Sequence, residues 1–116
     1  MAPRQRQSPG PARGWSLEAS RSSAGQAVVR AAGEFDLAAV NDVHRVIGRA
    51  AADLEPPPIV VIELSAVTFL DAAMLGALVT ERQALRAAGG DLLLTGVGRW
   101  AMRIIEICGL RETLGI

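Results

Sequence analysis

The chain has 116 residues, half of them apolar, and its 12 basic and 12 acidic side chains cancel. That length and apolar content fit one domain with a buried core, and zero net charge provides no global field to gather nucleic acid or an anionic membrane surface. No apolar run reaches the ~20 residues of a membrane span, and Cys108, the single cysteine, has no partner for an internal disulfide, so a reducing, cytoplasmic setting is expected.

Residues 1–14, MAPRQRQSPGPARG, lack the apolar stretch of a secretory signal and read as a disordered tail. The expected domain therefore runs from 15 to 116. WSLEAS (15–20) alternates weakly, as an edge strand does, and the turn cluster RSSAG (21–25) leads into a returning strand within QAVVRAAGEF (26–35). Asp36 then stands where a helix cap belongs, ahead of a stripe of Val40, Val43, Ile47, Ala50 and Leu54. DLEPPP (53–58) must end that helix, because proline lacks the N–H and excludes helical angles from the residue before it.

IVVIEL (59–64) is β-branched and nearly continuous, the pattern of a covered central strand. After Asp71 the positions Leu75, Leu78, Val79 and Leu85 predict a helix that stops at Gly89-Gly90. DLLLT (91–95) is a further short strand. Arg99 to Cys108 forms a last helix, with Ala101, Ile104, Ile105 and Cys108 on its buried face. The order β-β-α-β-α-β-α predicts an α/β fold in which parallel crossovers join a mixed sheet.

Catalytic constellations are not found. His44, the only histidine, has no cysteine or carboxylate at metal-ligand spacing and reads as a half-exposed structural residue. There is no G-x-S-x-G elbow and no phosphate-binding G-x-x-x-x-G-K-[ST] loop, and Gly89-Gly90 and Gly96-x-Gly98 read as turns. Cys108 reads as a small buried hydrophobe. Asp36 and Asp71 could form an acid–base pair, but each directly precedes a helical stripe, which is the position of an N-cap. No cofactor or metal is expected, and no enzymatic activity.

Three segments carry a family resemblance. GEFDLAAV (33–40), VVIELSAVTFLDAAMLGAL (60–78) and RIIEICGL (103–110) resemble, in order and separation, the STAS domain of bacterial anti-sigma factor antagonists. The resemblance implies that fold, a mixed four- to five-stranded sheet with helices packed on it. It also implies a non-catalytic module, monomeric or weakly dimeric, that binds an anti-sigma factor and contacts neither nucleic acid nor the membrane interior. In such antagonists the anti-sigma factor is itself a serine kinase that phosphorylates the second residue after the motif aspartate. The added charge of about −1.5 to −2 then acts as an off switch.

The matching position here is Ala73, which has no hydroxyl, and Met74 stands where the pattern has glycine. Asp36, Asp71, Leu75 and Gly76 keep the pattern. The resemblance thus implies a partner-binding surface of Asp36, Asp71, Ala72, Ala73, Met74 and Gly76 without the usual phosphorylation. Met74 is expected to turn toward the side shared by Ala77, Glu81 and Ala84, either facing the partner or packing on a nearby loop. Control relocated to Thr68, Ser65, Thr80 or Cys108 is a variant of this reading, with Thr68 expected on the buried side of a loop. The alternative is a scaffold or accessory STAS subunit of a stress-signalling or transport complex. A third reading, a nucleotide or small-ligand binder, has no phosphate loop to support it.

Overall fold

The computed structural model describes residues 5–6 and 14–116. The expected disordered tail, 1–14, falls mostly on residues outside that range. Within it, β1 (Gln5–Arg6) pairs antiparallel with β2, Gln5 opposite Ala19 and Arg6 opposite Glu18.

β2 (Trp15–Arg21) and β3 (Ala27–Phe35) form an antiparallel hairpin, in register from Trp15 opposite Gly33 to Arg21 opposite Ala27. The RSSAG cluster closes it as expected. Ser22 N–H donates to Gln26 O at 2.8 Å, and Gly25 takes φ +82°, the left-handed region that a side chain disfavours. From β3 the chain crosses through α1 (Val40–Ala52) to β4 (Ile59–Leu70), and then through α2 (Ala72–Ala87) to β5 (Asp91–Thr95). Both of these strand pairs, β3–β4 and β4–β5, are parallel. The sheet order is β1-β2-β3-β4-β5, and α3 (Arg99–Ile107) closes the series.

Both crossover helices lie on one face of the sheet, packed against each other and against β4. Strand alternation supplies that face. Leu17, Val29, Ala31, Phe35, Val60, Ile62, Leu64, Leu70 and Leu92 are buried against Val43, Val46 and Ile47 of α1 and Met74, Leu75, Leu78 and Leu85 of α2. Side-chain bonds fasten the layers at their margins. Trp15 Nε1 donates to Asp42 Oδ2 at 3.0 Å, and His44 Nδ1 lies 2.6 Å from Glu81 Oε2 across α1 and α2. His44 is thus a half-exposed interhelical residue. Among the described residues no cluster of three or more potential metal ligands exists.

β4 is twice the length expected from IVVIEL. Ser65–Leu70 contains no glycine or proline to break the strand, and two register shifts against β3 let it continue: from Arg30–Glu63 to Phe35–Leu70, β3 advances five residues while β4 advances seven. Such bulges change which side chains face the core. At the first shift Ser65 N–H and Ser65 Oγ both donate to Glu63 Oε1 at 2.6 Å. Gly96 crowds this turn of backbone, with φ +68° and room for no side chain, since a Cβ would sit 2.8 Å from Ser65 N. Thr68, expected on a buried loop side, is instead exposed on this strand, because the second shift turns it outward.

Two further expectations are corrected. Met74 is fully buried, and Ala77 is 3 % exposed. The side of α2 that carries Met74, Ala77 and Glu81 faces core and α1, so this flank is covered and not open as periodicity within α2 alone predicts. Cys108 is exposed rather than buried. It lies one residue past α3, donating its N–H to Ile104 O at 3.0 Å, and the chain folds back to cover Ile105 with Leu110 and Leu114 instead. No described helix is long and apolar enough to cross a membrane.

Candidate functional site

At the carboxyl ends of the parallel strands β3 and β4 the same device occurs twice, side by side. A buried residue, Phe35 or Leu70, ends the strand in register with its counterpart, and the next residue is an extended aspartate. Asp36 Oδ1 accepts from Ala38 N–H at 2.9 Å and caps a single 3₁₀ turn, Leu37–Ala39, that runs into α1. Asp71 Oδ1 accepts from Met74 N–H at 3.2 Å and caps α2. Each carboxylate satisfies an N–H that helix geometry leaves unpaired and sits favourably at the positive end of the helix dipole. Asp71 N–H donates to Phe35 O at 3.3 Å, so the two strand ends are joined through the backbone. Both aspartates are caps, as the sequence implied.

Ala72 and Gly76 are exposed and Ala73 half-buried on the outer side of the first turn of α2. Of the residues that the resemblance assigned to this surface, Asp36, Asp71, Ala72, Ala73 and Gly76 are brought together. Met74 is not: it points beneath them into the core. The methyl group of Ala73 offers nothing to phosphorylate, and residues 72–76 carry no hydroxyl.

The other hydroxyls differ in availability. Ser65 Oγ is held by Glu63, with 2.6 and 2.9 Å to its two oxygens, and Thr80 Oγ1 donates to Gly76 O at 3.0 Å within α2. The Ser65 hydroxyl, the Ser65 N–H and the positive charge of Arg30 hold the Glu63 carboxyl below its ordinary pKa. Thr68 is exposed and makes no hydrogen bond among the described residues.

Sequence reasoning missed the apolar part of the site. Leu37 is 74 % exposed, Phe69 41 % and Trp100 59 %. Leu37 lies three residues before Val40 and so falls on the helical stripe of α1, but the 3₁₀ turn rotates it outward. Phe69 belongs to an unbroken apolar run and is exposed only because the second register shift puts Leu70, not Phe69, on the core face. Trp100 is the one whose signal was readable, a large aromatic beside the Ala101–Ile105 stripe of α3. Its ring lies 6.2 Å from that of Phe69, tilted by 41°. A groove of about 160 Å³ runs between the second half of β4 and the first turn of α3. Carboxylates, an alanine-rich helix start and exposed apolar side chains thus lie near one another at this end of the sheet.

This architecture and site define a known class. Residues 19–116 match the STAS domain family, and the chain belongs to it. Among curated proteins it is similar to the anti-sigma-F factor antagonist RsfA of Mycobacterium tuberculosis, 28 % identical over 89 residues that cover 77 % of this chain and 70 % of the relative. Among solved structures it resembles an anti-sigma factor antagonist from Mycobacterium paratuberculosis, with 30 % identity, a TM-score of 0.70 and coverage of 86 % of this chain and 82 % of that one. The fold also matches the unphosphorylated form of the anti-sigma factor antagonist SpoIIAA, at TM-score 0.70 and 19 % identity, over 83 % of each chain.

Proposed function

We propose that this chain is a cytoplasmic, non-catalytic anti-sigma factor antagonist, and that it binds its anti-sigma factor without phosphorylation at the usual position. The observation that carries the reading is Ala73. A side chain with no hydroxyl occupies the α2 start, beside two capping aspartates and the exposed Leu37. In this reading Leu37, Ala72, Ala73 and Gly76 meet the partner, while Asp36 and Asp71 hold the two helix starts and direct their remaining lone pairs at donors across the interface. Similarity to anti-sigma factor antagonists supports the class of partner.

Binding frees the sigma factor, and no charge can be added at residue 73 to reverse it. The antagonist then acts for as long as it is present, and its control lies in its abundance. The test is incubation with ATP and the cognate anti-sigma factor, followed by mass spectrometry of the intact protein. Unmodified protein that still forms the complex is the expected result. Stoichiometric phosphate, on Thr68 for example, would contradict it.

A further inference from the structure

The outward face of α3 is unaccounted for by this reading. At 100° per residue Arg99, Arg103, Ile107 and Trp100 share one side of the helix, opposite the buried Ile105, and Glu106 at the margin of that side is engaged by Arg111 at 3.3 Å. Ile107 is 72 % exposed and Trp100 59 %. From Arg21 onward, every other arginine has a hydrogen bond or an electrostatic partner. Arg21 bonds Asp53 O and Arg30 bonds Ser20, Arg45 pairs with Asp42, Arg82 and Arg86 with Asp91, and Arg111 with Glu106. Arg49 has an interaction as well. Arg99 and Arg103 have none among the described residues.

In a chain whose charges balance, two unpaired guanidiniums one helical turn apart beside an exposed tryptophan are a complementary surface for carboxylates next to an apolar anchor. The patch is also continuous with the α2 start, because Trp100 stacks near Phe69 and Phe69 is followed directly by Leu70 and the Asp71 cap.

From this we infer that the face Trp100–Arg103–Ile107, with Arg99, is a second docking surface for the same protein partner, and that its occupant is an acidic segment with an apolar anchor. The inference rests on the proposed partner binding and adds to it the chemistry and orientation of the contact. A partner crossing the molecule meets the carboxylates of Asp36 and Asp71 at one end and the guanidiniums of α3 at the other. Only a segment of opposite polarity, donors toward α2 and carboxylates toward α3, is accepted, so the charge pattern fixes the direction of docking. Aromatic and arginine side chains at such a surface are the types that dominate binding energy. An anionic membrane is the weaker occupant, since α3 has nine residues and this face offers two unpaired cations and two apolar side chains beside the Glu106 carboxylate.

The experiment is calorimetric titration of the full chain with the cognate anti-sigma factor, at two salt concentrations. The double charge reversal Arg99→Glu with Arg103→Glu should lower affinity by about tenfold or more, the scale of a central interface contact, and flatten the salt dependence. Arg99→Lys with Arg103→Lys should retain most of the affinity, and Trp100→Ala should lose it comparably to the reversal. All three positions are on the surface, so thermal midpoints should match that of the parent protein. Reversal variants that bind within about twofold of the parent overturn the inference. If Leu37→Asp abolishes binding while those variants do not, the α3 surface falls and the proposed function stands. No binding by the parent protein defeats both. Arginine-dependent binding to phosphatidylglycerol vesicles, with partner affinity unchanged, would assign the face to a membrane and overturn the inference as well.

Discussion

Asp71 and Met74 are three residues apart and do opposite things. Asp71 lies at the surface and its Oδ1 holds Met74 N–H, while the Met74 side chain is fully buried. Asp71→Ala should therefore cost about 1 kcal/mol of stability, and Asp71→Asn much less, because asparagine caps nearly as well. Urea unfolding of both variants checks this. Met74→Ala should be more damaging, about 2–5 kcal/mol, the range for emptying a buried methionine site, and its effect on partner binding should disappear once folded fractions are equalised. A Met74→Ala protein of unchanged stability would contradict the placement.

The aspartate caps were legible in the sequence because capping is local, a short acidic side chain one residue before a helical stripe. The placements of Met74 and Cys108 were not. Each depends on what another element covers: α1 takes the flank of α2 that periodicity left open, and the returning segment with Leu110 and Leu114 covers Ile105 but stops short of Cys108.

At the scale of elements, the join between α2, β5 and the C-terminal segment is electrostatic. Arg82 Nε donates to Asp91 Oδ1 at 2.9 Å and Arg82 Nη1 to Thr113 O at 2.7 Å, with Arg86 3.2 Å from the other carboxylate oxygen. Partial burial pushes the Asp91 carboxyl up. The Arg82 bond, the Leu92 N–H and the charges of Arg82 and Arg86 outweigh that and hold it below the ordinary range. A pKa lowered by folding contributes stability that is complete above the unfolded value, near 3.9 for aspartate, and is lost as pH falls through the folded value. Thermal midpoints of the parent protein should consequently drop as pH falls below about 4, and Asp91→Asn should flatten that part of the profile while lowering stability at neutral pH. A profile in Asp91→Asn parallel to that of the parent would remove this carboxylate from the account.

From Trp15 onward the strands, helices and their order were readable from periodicity and punctuation, whereas the short β1 lies in the segment expected to be a tail. The length of β4 was not, since a strand that carries two extra residues against its neighbour no longer alternates as one strand. That irregularity is also what exposes Phe69 and Thr68, and so the apolar half of the site was hidden with it.

For the molecule as a whole, one end of the sheet collects what a binding protein needs. The strand ends supply two capped helix starts, the 3₁₀ turn presents Leu37, and the second half of β4 with α3 adds Phe69 and Trp100. Ligands of α/β sheets gather at the carboxyl ends of the strands because loops and helix N-termini converge there. A STAS domain with this surface, and with Ala73 at the α2 start, is proposed as an antagonist that cannot be switched off by phosphate. The most direct measurement of that claim is the affinity of the parent protein and of Ala73→Asp for the cognate anti-sigma factor, by calorimetry before and after incubation with ATP. An aspartate in the first turn of α2 favours the helix dipole by about 0.3–1 kcal/mol, so the variant should be at least as stable as the parent, and any loss of affinity reports on the interface alone. The account predicts that ATP leaves the parent's affinity unchanged and that Ala73→Asp binds about tenfold or more weakly, a loss on the hot-spot scale. Affinity of the parent lost on ATP treatment, or Ala73→Asp binding as tightly as the parent, would contradict it.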